Sequence, residues 1–109
     1  MEERRKNPRF KVGVEVDIAL GSERFAGRLK DICRDACLLE VDTQLPLGAE
    51  VALTLKLPGT GGPLRVVGSV VREARSEGEA HDIAVLFADR NPATETRIDF
   101  FIALQSQEA

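Results

Sequence analysis

Apolar and polar residues alternate with period two along most of this chain, and the alternation predicts strands. Val12, Val14, Val16, Ile18 and Leu20 share one face, while Gly13, Glu15, Asp17 and Ala19 take the other. Gly21-Ser22 follows as a two-residue hairpin turn of the Gly-X type. The returning strand turns Phe25, Gly27 and Leu29 inward and Arg24, Arg28 and Lys30 outward, and "ICRDA" then breaks the alternation before Cys37, Leu39 and Val41 resume it. "QLPLGAE" reads as a loop, with Pro46 and Gly48 as breakers. Val51, Leu53, Leu55 and Leu57 form a fourth strand, "PGTGGP" a turn, and Leu64, Val66 and Val70 a fifth, with Gly68 on their face as a place for the strand to bend. After "SEGEAH", the residues Ile83, Val85 and Phe87 form the sixth.

The last segment changes period. Asn91 suits a helix N-cap, Pro92 the first helical position and Glu95 the first turn. Thr94, Ile98, Phe101, Ile102 and Gln105 recur at helical spacing. The expected fold is therefore all-β with one C-terminal helix, built as a six-stranded antiparallel β-barrel. Its expected divisions are a basic arm over 1–11, the barrel over 12–90 and the helix over 91–106, in one domain.

Charge adds what hydropathy does not show. Residues 1–11 hold Arg4, Arg5, Lys6, Arg9 and Lys11 against Glu2 and Glu3, a net +3, whereas the other 98 residues carry 10 basic and 16 acidic side chains, a net −6. An acidic body repels a polyanion, so nucleic acid is not an expected partner. No apolar run approaches the ~20 residues of a membrane helix, and the basic start leads into an alternating, charged segment unlike a signal peptide. A cytoplasmic protein without membrane insertion is expected. Two cysteines, Cys33 and Cys37, do not make a secreted disulfide framework, and with one distant His81 they do not make a zinc site. His81 reads as a surface residue in a polar loop, and no His-carboxylate or Ser-His cluster suggests an enzyme.

The arm carries the chemistry. In "RRKNPR", Pro8 disfavours helical geometry at Asn7, so Arg5 and Arg9 do not stack on one helical face. An extended or turned arm lets their guanidiniums approach a ligand from different directions, as planar forks for phosphate oxygens that also stack on a base. Asp31, at a strand end before the irregular "ICRDA", is a short carboxylate able to accept paired hydrogen bonds from a guanine edge. A turn-stabilising aspartate and a solvated basic tail are the commoner uses of such residues.

Both segments together resemble the PilZ domains, bacterial receptors for cyclic di-GMP, whose signature is RxxxR in an N-terminal arm and [D/N]xSxxG after the first hairpin. The chain offers Arg5-Lys6-Asn7-Pro8-Arg9 and then Asp31-Ile32-Cys33-Arg34-Asp35-Ala36. "PRFKV", "LPLGAEVALTLKLP", "GSVVR" and "DIAVLF" also fall where that family has like segments. The resemblance implies a ligand site of Arg4, Arg5, Arg9, Asp31, Cys33 and Ala36, with the arginines clamping cyclic di-GMP and Asp31 reading guanine. It implies no cofactor.

Two departures weaken the second motif. Cys33 stands where the family has Ser, and a thiol is the poorer hydrogen-bonding group, a loss of ~1 kcal/mol. Ala36 stands where it has Gly, and a methyl costs ~1 kcal/mol or more if that position needs positive φ or close approach of the nucleotide. Asp35 adds negative charge. The resemblance implies a stand-alone cyclic di-GMP receptor whose arm orders on binding and which signals to an unidentified protein partner. The alternative is a PilZ-like adaptor blind to the nucleotide that binds its partner constitutively.

Overall fold

The computed structural model describes residues 14–59, 61–75, 80–88 and 91–107. Six strands and one helix follow in order: β1 (Val14–Leu20), β2 (Glu23–Ile32), β3 (Ala36–Val41), β4 (Glu50–Leu55), β5 (Leu64–Arg75), β6 (His81–Phe87) and α1 (Pro92–Gln107). The strands close into a barrel in the order β1-β2-β3-β6-β5-β4, with every neighbouring pair antiparallel. Among the described residues, closure leaves no unpaired sheet edge. Val12 and Gly13, expected in the first strand, lie outside the described residues.

The inward positions read from the alternation fill the barrel. Val16, Ile18, Leu29, Leu39, Val51, Leu53, Leu55, Val70, Ile83 and Val85 are all buried in one core. Leu57 is buried as well, although β4 ends at Leu55. The "QLPLGAE" segment is a loop that also contributes Leu45 to the core, a burial that local pattern does not announce.

Two bulges break the ladder. Between β5 and β6 the register shifts at Val71, and between β2 and β3 it shifts at Lys30. Gly68 sits at a close approach of strands: a Cβ there would lie 2.5 Å from the Leu86 carbonyl oxygen and 2.6 Å from Val85 Cγ1. Glycine at this position is what lets β5 and β6 approach so closely.

Helix α1 begins as its cap residues predict. The Asn91 side-chain oxygen accepts from the Ala93 N–H at 2.8 Å. Ile98 and Phe101 are fully buried, and Ile102 packs partly against the core. Arg97 donates to the carbonyls of Gly62 and Pro63 at 2.5 and 3.5 Å, fastening the helix to the β4–β5 turn. The helix thus closes the barrel end where β2 turns into β3, β4 turns into β5 and β1 begins.

Candidate functional site

The bulge at Lys30 decides where Asp31 points. Strict alternation from Leu29 would turn residue 31 into the core. Instead Leu29 pairs with Leu39, and after the extra residue Asp31 pairs with Leu38 and Ile32 with Cys37. Cross-strand partners share a face, so Asp31 lies on the outer face with Leu38 while Ile32 and Cys37 face the core. A bulge re-aiming one side chain in this way is a recurrent feature of functional sites. Asp31 is nonetheless only 8% exposed.

Past Ile32 the chain reverses through Cys33, Arg34 and Asp35 into Ala36. The Cys33 N–H donates to the Ala36 carbonyl at 2.8 Å, and the Phe87 N–H donates to the Asp35 carbonyl at 2.8 Å. No residue here has positive φ, because no non-glycine among the described residues does. The backbone condition for a cost at Ala36 is therefore not met: its methyl strains no backbone. It sits half-buried at the start of β3, opposite Leu86.

Asp31, Cys33 and Ala36 therefore belong to one hairpin at the helix-capped end of the barrel. Arg4, Arg5 and Arg9 lie outside the described residues. Cys33 is half-buried and Cys37 buried, both as free thiols. Burial pushes the Cys37 thiol far above its ordinary range, and the nearby charges of Asp31 and Cys33 push it further. That thiol is inert packing.

Arg34 was unassigned by the motif, which leaves its position open. Its guanidinium leaves the turn for α1, with Nε 3.2 Å from Asp99 Oδ1 and a terminal nitrogen 3.7 Å from Glu95 Oε1. The spacing of Glu95 and Asp99, four residues apart, was the available signal, since it puts both carboxylates on one helical face.

Two of the cavities formed by described residues lie elsewhere on the surface. One of about 470 Å³ is lined by Glu15, Asp17, Glu40 and Asp42 on the β1-β2-β3 face. The other, about 360 Å³, has Arg24 and Arg65 around Ala19 and Ala52. Neither is lined by Asp31, Cys33 or Ala36.

His81 is not the surface loop residue expected. It opens β6 and its Nδ1 lies 2.6 Å from Glu73 Oε2, with both side chains mostly buried. A His-carboxylate pair thus exists, at the barrel end opposite the hairpin. Among the described residues no group of three or more His, Cys, Asp or Glu is placed to hold a metal ion, and no helix is long and apolar enough to cross a membrane.

Six antiparallel strands closed into a barrel under a single C-terminal helix define a small helix-capped barrel domain. The chain belongs to the PilZ domain family, whose model matches residues 3–104. Its fold is similar to the PilZ domain of YcgR from Escherichia coli, solved with c-di-GMP, at TM-score 0.76 and 14% identity over 97% of this chain and 94% of that one. The Bacillus subtilis inhibitor of motility MotI/DgrA is similar at TM-score 0.74 and 14% identity over 98% of this chain and 54% of that one. K. pneumonia MrkH, in its apo state, gives 0.74 and 21% over 98% and 54%, and MrkH has also been solved as a c-di-GMP complex. This chain spans about half the length of MotI/DgrA and MrkH. No curated protein matches it by sequence.

Proposed function

We propose that this chain is a cyclic di-GMP-binding receptor module, acting in the cytoplasm without catalysis of its own and passing its state to a protein partner. One observation carries the reading. Asp31, Cys33 and Ala36 share a hairpin at the barrel end from which β1 starts at Val14. Val14 pairs with Leu29, two residues from Asp31. Arg9 precedes Val14 by five residues, a reach of at most ~18 Å. Arg5 and Arg9 would clamp the phosphates and stack on the bases, Arg4 would add charge, and the outward-aimed Asp31 would accept from guanine. The solved complexes of YcgR and MrkH with c-di-GMP support the choice of ligand. Free thiols at Cys33 and Cys37 suit a reducing compartment.

The test is a melting curve with cyclic di-GMP and with GTP as control. Ligand at ~100 times its Kd should add ~2.7 kcal/mol to the stability. Arg5→Ala/Arg9→Ala should lose that gain while melting normally when free. A wild type that is silent beside a responsive Cys33→Ser/Ala36→Gly variant would mark a lapsed receptor; silence of both would contradict the reading.

A nucleotide-independent adaptor is the second reading. It is favoured by exposed Val67, Val71 and Leu86 on β5 and β6, with Leu47 on the loop whose Gly48 N–H bonds Val70.

A further inference from the structure

Two-residue and other short hairpin loops favour backbone geometries with positive φ, which match the twist of the strands they join. Gly21 in the β1–β2 turn supplies this with φ 61°. The Cys33–Ala36 turn has no such residue, so its own backbone does not set its shape in that way. Beyond its own Cys33 N–H bond to the Ala36 carbonyl, it is held from outside: by the Phe87 N–H on the Asp35 carbonyl, and by Arg34 on Asp99 and Glu95. The helix that receives Arg34 is itself fixed, through buried Ile98 and Phe101 and through Arg97 on the β4–β5 turn.

We infer that Arg34 is a positioning residue, a brace that ties the Asp31–Ala36 hairpin to α1 and so holds Cys33 and its neighbours in the shape that takes the ligand. The ligand-binding half of this inference rests on the receptor reading; the bracing half rests on the turn's geometry alone. Arg34 is 57% exposed and Asp99 48%, so solvent screens the pair and its loss should be felt as a few-fold effect at the turn rather than as unfolding.

The experiment reads the turn and the ligand separately. Alkylation of Cys33 by N-ethylmaleimide in the free protein reports how well the turn is held, since Cys37 is buried and protonated. Titration calorimetry with cyclic di-GMP reports the site. Arg34→Ala and Asp99→Asn should each speed Cys33 alkylation and weaken the nucleotide about threefold to fivefold. The sign in Asp99→Asn is decisive, because removing a negative charge from the protein would tighten binding of a doubly anionic ligand if charge alone mattered. Arg34→Glu/Asp99→Arg should recover both readouts relative to Arg34→Glu. Unchanged alkylation in Arg34→Ala and Asp99→Asn, tighter binding in Asp99→Asn, or no recovery in the exchanged pair would overturn the brace. Faster alkylation in a protein whose wild type ignores cyclic di-GMP would uphold the brace and sink the receptor reading instead.

Discussion

Two hairpins share strand β2 and solve the same problem differently. At one end, β1 turns into β2 on Gly21-Ser22, with Leu20 paired to Glu23 and a left-handed glycine doing the bending. Nothing lies within 4 Å of where a Cβ at Gly21 would be. At the other end, β2 turns into β3 through Cys33, Arg34 and Asp35 with no left-handed residue, leaning on Phe87 and α1. The first turn is encoded locally. The second closes on its own Cys33–Ala36 backbone bond but is also held by residues more than fifty positions later, and the candidate site is built on it.

Unseating the helix should separate the two most strongly. Phe101→Ala empties a fully buried position, and such truncations cost ~3–5 kcal/mol. Denaturant melts should show that loss. In the surviving native state, amide exchange should quicken at 33–36 and not at 21–22; equal loosening of both turns would erase the distinction.

Glycine exchange should sharpen it next. Gly21→Ala forces a left-handed alanine into open space and should cost ~1 kcal/mol. Ala36→Gly should also destabilise the free protein, by ~0.5–1 kcal/mol, because it removes a methyl from an unstrained strand position and frees the unfolded chain. A stabilised Ala36→Gly variant in thermal melts would show that the second turn wants a glycine after all.

These contrasts explain what was legible beforehand. Period-two patterning, Gly21-Ser22 and the Asn91-Pro92 helix start are local signals, and from them the six strands and the terminal helix could be read. The bulge at Lys30, the burial of Leu45, the Glu73–His81 pair and the reach of Arg34 to Asp99 each depend on register between distant segments. Local alternation carries no such information. Even the motif named Asp31 without showing that a bulge is what turns it outward, or that Ala36 sits in unstrained backbone.

The smallest expected effect concerns the thiols. Native protein should take up one equivalent of alkylating reagent at Cys33, and a second only on unfolding. Because the folded Cys37 thiol is held protonated, chiefly by burial, its contribution to stability is whole below the unfolded value of 9.0 and is lost as pH rises above it. Cys37→Ala should flatten that alkaline decline; an unchanged slope in pH-dependent melts would place its cause elsewhere.

The most direct test compares the two hairpins in one experiment: hydrogen–deuterium exchange of the wild type with saturating cyclic di-GMP and with GTP. Slowed exchange at 31–38 and in the first turns of α1 with cyclic di-GMP alone, and none at 21–22, is the result predicted for a ligand site on the braced hairpin. Exchange at 31–38 left unchanged by cyclic di-GMP, or slowed equally at both turns, would contradict it.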